Sequence, residues 1–282
     1  MGSAPYALAG YKIESGFDSR IKHFLVVKLR SPPNGECALP LTIDERQLLL
    51  LAHNAIEERI REAGFSTRLE TDFYKVRDEI EHAGKEVSPH FWPMFFDYNL
   101  DNGFCMILDS DGEGVAYICY QRIDLGGMNL WEKHVQRCKQ CFGRHPEAKF
   151  DDSWVCQPMT EIRGVGAYSG DALTRKNWRA KGAKEYLELI SYLSQFLAAM
   201  HWPEIQWIGG LATNQHVRRG LGTFYGARNM DPCAERWITP PLKPNGEPAR
   251  RSDDWFLSTR RADILYRAKC VARGHLLQPS SS

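Results

Sequence analysis

The chain has 282 residues, 43% hydrophobic and 25% charged, with a net charge of +1 and eight cysteines. That profile fits a globular protein of one large or two small domains, and the near-neutral balance argues against bulk electrostatic binding of nucleic acid. No run of about 18 apolar residues is long enough for a membrane span, the first ten residues do not read as a secretory signal, and so few cysteines in so long a chain are expected to be reduced thiols of a cytoplasmic protein.

Residues 1–40 read as an N-terminal arm or an added strand, with a β-rich run at Phe24 to Leu29 and a turn at Ser31-Pro-Pro-Asn-Gly. Thr42-Ile-Asp-Glu45 is a capping box. The helix it opens puts Leu48, Ala52, Ile56 and Ile60 on one face and closes near Gly64. A short strand is expected at Phe65 to Leu69 and a helix from about Asp72 to His82. Ser88 to Tyr98 is dense in aromatics; it reads as a short helix over the edge of the core, or as the wall of a substrate pocket. Phe104 to Leu108 and Val115 to Ile123 form a hairpin across Asp109-Ser-Asp-Gly-Glu-Gly114, a turn that lacks the later ligands of a calcium loop. Asn129 to Phe142 is a helix with Trp131, His134, Val135, Cys138, Cys141 and Phe142 on one face. His134, Cys138, Cys141 and His145, with Cys156 nearby, have ligand types suited to zinc. The same helix face is needed for the core, where cysteine serves as a small hydrophobe, so no metal is expected.

Residues 162–184 read as a strand, a basic glycine-containing turn and a helix start. Backbone N–H groups at such a start lack intrahelical partners and favour an anion. The helix runs to about Met200, with Tyr186, Ile190, Leu193, Leu197 and Met200 on one stripe, and His201-Trp-Pro ends it. A strand buried on both faces follows at Ile205 to Leu211, so strand, helix and strand form a parallel crossover. Asn214 to Tyr225 is a second helix, with Asn214 as N-cap and Gly226 as stop. Closing strands are expected at Ala234 to Ile238 and Trp255 to Thr259, around a Pro/Gly-rich loop from Pro240 to Ser252, with a frayed tail over 271–282. Asn214-Gln-His-Val-Arg-Arg219 could serve as a DNA-recognition helix, but an apolar strand precedes it instead of a first helix, so nucleic acid is not the expected partner.

This order resembles the GNAT acyltransferase superfamily over roughly residues 64–260, with residues 41–270 as one domain and a helical insertion near 129–145. The family's R/Q-x-x-G-x-G/A turn is similar to Arg179-Ala-Lys-Gly182-Ala-Lys184, which keeps the Arg and the first Gly but has Lys184 where a small residue is usual. Trp178-Arg179, Gly114-Val-Ala-Tyr-Ile and the Asn214 and Phe224-Tyr-Gly-Ala features also resemble the family. The resemblance implies an α+β fold, a mixed central sheet flanked by helices. It also implies acetyl-coenzyme A or another acyl-coenzyme A as co-substrate, held by Leu173, Thr174, Arg179, Ala180, Lys181, Gly182, Ala183, Lys184 and Asn214. The implied reaction is N-acyl transfer, N-acetyl first, to an amine on a small molecule or protein, with a homodimer compatible. Asp171 at the strand end is the candidate base, ahead of Glu161. The family's usual tyrosine position is Gly222 here, which leaves Tyr225 as the candidate acid. A V-shaped opening is expected between the strand ending at Leu173 and the strand starting at Ile205. Lys184 and the displaced tyrosine also fit a second reading, a non-catalytic GNAT-like binding domain without cofactor.

Overall fold

A computed structural model describes residues 40–143, 145–179, 183–243 and 246–275, without the side chains of residues 183 and 184. The expected N-terminal arm, the turn residues Ala180, Lys181 and Gly182, and most of the expected tail lie outside the described residues.

Helix α1 (Ile43–Glu62) starts at the expected capping box: Glu45 N donates to Thr42 Oγ1 at 3.2 Å and Thr42 N to Glu45 Oε2 at 2.8 Å. Strand β1 (Ser66–Glu70) and helix α2 (Phe73–His82, capped by Asp72) follow. The aromatic stretch forms a 3₁₀ turn, Pro89–Phe91. Strands β2 (Gly103–Ser110) and β3 (Glu113–Asp124) are the expected hairpin. Helix α3 (Leu130–Phe142) opens on a second capping box, Asn129 with Glu132. Next come β4 (Lys149–Phe150), α4 (Gln157–Thr160), β5 (Val165–Thr174), α5 (Lys176–Arg179), α6 (Ala183–His201) and β6 (Trp207–Ala212). The chain ends with α7 (Asn214–Arg218), α8 (Leu221–Phe224), β7 (Asn229–Asp231), β8 (Trp237–Thr239), β9 (Trp255–Arg260) and α9 (Arg261–Ala272).

The strands form a seven-stranded sheet in the order β1-β2-β3-β5-β6-β9-β7, and β4 pairs with β8 apart from it. The β5–β6 pair is parallel and the other pairs are antiparallel, so the sheet is mixed and the fold α+β, as expected. Successive residues of the hairpin go to different cores: Phe104, Met106, Leu108 and Ile118, Tyr120 to one, Cys105, Ile107 and Tyr117, Cys119 to the other. This is the period-2 alternation of strands covered on both faces. The first core holds α1, α6 and α9; the second holds α2, α3 and the 3₁₀ turn.

Four expectations change. Helix α6 is buried all round from Ile190 to Ala199 instead of along one stripe, because α1 and α9 cover the side turned away from the sheet. The second late helix breaks in two at Gly220, whose φ of 84° leaves the helical region. Thr213, not Asn214, caps the first piece, with its side chain accepting from His216 N. Of Ala234 to Ile238, only the end is strand, and it pairs with β4; the sheet edge is β7 instead. In addition, a terminal helix, α9, that the sequence reading did not give follows β9, with Val271 buried in the core.

Candidate active site

Strands β5 and β6 pair only at Gly166↔Trp207, Ala167↔Ile208 and Tyr168↔Gly209, although β5 continues to Thr174 and β6 to Ala212. The cause is local. Along β3, Tyr117 faces Leu173 but Cys119 faces Gly170, so Asp171 and Ala172 together oppose Ile118 in a β-bulge. Asp171 adopts φ 51°, left-handed backbone that a non-glycine residue seldom occupies. The bulge bends β5 away from β6. Just before the strands part, Gly210 lies so close to the Ser169 carbonyl that a Cβ there would overlap it.

The expected opening is therefore present. It is a cavity of about 530 Å³ between Ser169 to Ala172 on β5 and Gly209 to Ala212 on β6. Ile118, Gln195 and Tyr225 wall it on the α6 side, and Phe91 and Tyr168 on the opposite side. Phe91 thus plays both roles expected of the aromatic stretch: it is fully buried in the second core and lines the cavity.

The structure brings Asp171 and Tyr225 to this one cavity. The Asp171 carboxylate, 3% exposed, accepts from Lys85 Nζ at 2.6 Å and from Ser88 N at 3.0 and 3.1 Å. Burial pushes the Tyr225 phenol up, so it is a protonated donor at neutral pH. The other described candidates lie outside the cavity lining. Leu173 belongs to the second core. The Thr174 carbonyl accepts from Arg179 Nε at 2.8 Å, which folds Arg179 back over the strand end. Asn214 Oδ1 accepts from Trp255 Nε1 and Arg218 Nε, both at 3.1 Å, and its Nδ2 donates to Asp253. Glu161 is exposed at the end of α4.

Sequence reasoning missed Asp254. The Ala212↔Trp255 pairing sets it beside the open end of β6, where it lines the cavity. It is buried, its Oδ1 has no hydrogen-bond partner among the described residues, and burial pushes its carboxyl up to about 7. In sequence it is one of two aspartates at the end of a charged loop, with no spacing to single it out.

A second buried cluster lies in the second core. Glu235 accepts from His134 Nε2 at 2.9 Å, Trp237 Nε1 at 3.0 Å, and Arg250 Nε and Nη2 at 2.8 and 2.9 Å. Burial alone would raise the Glu235 carboxyl; Arg250 and His134 overcome that and hold it well below the usual carboxylate range. Donor atoms of His90, His134 and Cys138 lie within 4.8 Å of one another, and Cys141 Sγ is 3.9 Å from His90 Nδ1. The ligand set read from sequence is thus rearranged. His90 joins it, while His145 sits at the surface beside Glu147. Burial, then the Arg137 guanidinium, hold the His90 imidazole well below its usual range. The inner face of α3, with Cys138 and Cys141, lies within the second core.

No family model and no curated protein matches the chain. Solved structures are similar in layout. Arabidopsis thaliana NAA60 in complex with acetyl-CoA aligns at 10% identity and a TM-score of 0.39, covering 70% of this chain and 99% of that one. FeeM, an N-acyl amino acid synthase from uncultured soil microbes, aligns at 12% and 0.38, covering 71% and 92%. The aminoglycoside acetyltransferase AAC(6')-Ib in complex with coenzyme A aligns at 13% and 0.37, covering 73% and 99%. At such identity the likeness carries no residue roles. Among the described residues no helix is long and apolar enough to cross a membrane.

Proposed function

We propose that the protein is a divergent GNAT-type N-acyltransferase that moves an acyl group from acyl-coenzyme A to an amine. The observation that carries this reading is the cavity where the bulged β5 parts from β6. Strand edges that no longer pair offer N–H and C=O groups to an extended chain, so the pantetheine arm fits as an inserted strand. A volume of about 530 Å³ is the size of an ordinary ligand site. The basic stretch from Arg175 to Lys184, which includes α5, and the start of α6 are the proposed pyrophosphate site, with Arg179 and Gly182 as its main contacts.

Little chemistry is then required of the chain. It holds thioester and amine in line, which is catalysis by proximity. A backbone N–H of β5 polarises the thioester carbonyl. The Tyr225 phenol, kept protonated by burial, supplies a proton to the departing thiolate. Asp171, already accepting from Lys85 and Ser88, fits a positioning role that ties the Phe91 turn to the bulge. The acceptor is an amine-bearing small molecule or protein.

Thermal shift and calorimetry with acetyl-coenzyme A and free coenzyme A test this. A ligand bound only by the native state adds about 2.7 kcal/mol at roughly 100 times its dissociation constant. Clear stabilisation is expected, and weaker binding by Arg179→Ala and by Gly182→Asp. The second reading, a binding domain without cofactor, is favoured by Lys184 where a small residue is usual. It is the outcome if millimolar ligand produces no shift.

A further inference from the structure

We propose that Asp254 is the acceptor-side base of this cavity, binding the attacking amine and taking its proton. The inference rests on the acyltransferase reading above. Its first support is place. Asp254 immediately precedes β9, and the Ala212↔Trp255 pair puts it at the end of β6 that has separated from β5. A group there lines the cavity beyond the point where the strands part.

Its second support is an unmet hydrogen-bond requirement. Buried polar atoms nearly always have partners, because leaving one bare costs stability. Asp254 Oδ1 is buried and has no partner among the described residues, although cations are near. Arg250, its strongest favourable neighbour, spends both Nε and Nη2 on Glu235. Asp253 accepts from Asn214. An amine N–H entering the cavity supplies the donor that the described residues do not.

The charge surroundings keep the carboxyl usable as a base. Burial raises it most, Arg250 and Arg251 lower it, and Glu235 and Asp253 raise it. Lys243, Glu247, His216 and the paired Lys85 and Asp171 face the same cavity. The result, about 7, is where a general base combines availability with proton affinity. Asp171, the cavity carboxylate at the bulge, already receives a lysine and a backbone N–H.

The step balances. The amine lone pair forms the C–N bond, the C–S bond breaks, and the nitrogen proton passes to Asp254. The departing sulfur takes the Tyr225 proton. Asp254 then releases its proton to solvent and Tyr225 regains one, giving amide and free thiol.

The test uses n-butylamine as probe, with the whole chain carrying ¹³C-labelled aspartate and with acetyl-coenzyme A present. One carboxyl is expected to titrate near pH 7, to be absent from Asp254→Asn, and to shift when butylamine is added. With the rate referred to the concentration of neutral butylamine at each pH, because the ammonium form has no lone pair to attack with, thiol release from acetyl-coenzyme A should show an acid limb of the same midpoint. In Asp254→Asn that limb should vanish and the rate fall about 100-fold, within the range for a lost general base. Acetyl-coenzyme A affinity should be unchanged. Circular dichroism confirms folding, and Asp254→Ser repeats the comparison with a different side chain. A carboxyl unmoved by 100 mM butylamine, a shifted carboxyl without thiol release, or a variant keeping rate and acid limb each overturns the proposal. Failure of the parent to bind acetyl-coenzyme A removes the acyltransferase reading instead.

Discussion

Asp254 and His90 titrate in opposite senses on folding. The Asp254 carboxyl is raised to about 7 in the native state, against roughly 3.9 in an unfolded chain. Its contribution to stability is therefore present below about pH 4 and is lost as pH rises through 7. Asp254→Asn should be more stable than the parent at pH 8, by a few degrees in Tm, with the difference vanishing toward pH 4. The His90 imidazole is held well below its usual range, so below about pH 6.5 the unfolded chain takes up a proton that the native chain refuses. Stability then falls with acid by up to about 1.4 kcal/mol per pH unit for that one group. His53, His201 and His216 are lowered too, each first by burial, so the slope is shared. Urea unfolding of His90→Asn between pH 6.5 and 5 should show a slope smaller by about one proton. An unchanged slope would mean that His90 is not the refused proton.

Elements that carry their own start signals were legible in the sequence. The Thr42 capping box, the helix start at Asn129, the hairpin turn, the ends of β5 and α6 and the β6 strand came out within two residues or so, because each is set by local chemistry. What was missed depends on partners far along the chain. Helix α9 has Arg260 at its N-cap, a residue with no capping oxygen in its side chain; the Asp263 carboxylate receives the Arg260 N–H, at 3.3 Å. Strands β7 and β8 are three residues each and read as strands only beside β9 and β4. The bulge was equally hidden, since nothing in Ser169-Gly-Asp-Ala172 says that two residues will face one. Its anchor gives an element-scale prediction. Asp171→Asn removes the charge that holds Lys85 Nζ and the Ser88 amide to the bulge. Hydrogen exchange at Ser88 and through the Phe91 turn should speed up by at least tenfold, while β2 and β3 keep their protection. Uniform loss of protection would place Asp171 in the global core instead of at a local latch.

At the scale of the whole molecule, the candidate site was legible where it is continuous and hidden where it is assembled. Asp171 and Tyr225 stand on segments that the resemblance marked, and Phe91 in the aromatic stretch read as a pocket wall; Asp254, about 160 residues after Phe91, comes to the cavity only in the folded chain. The Glu235 cluster fixes one of those segments. Glu235 is buried completely and joins α3, through His134, to Arg250 in the loop whose Lys243, Glu247 and Arg251 line the cavity. A buried pair of this kind gives little net stability over an apolar replacement, yet breaking it strands a charge. Arg250→Met should therefore cost roughly 3–5 kcal/mol, a drop of about 6–20 °C in Tm. Arg250→Met combined with Glu235→Leu should recover part of that loss, because neither charge is then left alone. The singles should also loosen the loop that carries Arg251, weakening amine binding more than acyl-coenzyme A binding, since the coenzyme's proposed anchor lies at the start of α6. A double variant no more stable than Arg250→Met would show that the pair acts independently, and equal loss of both ligands would show that the cluster supports the whole cavity and not its acceptor side.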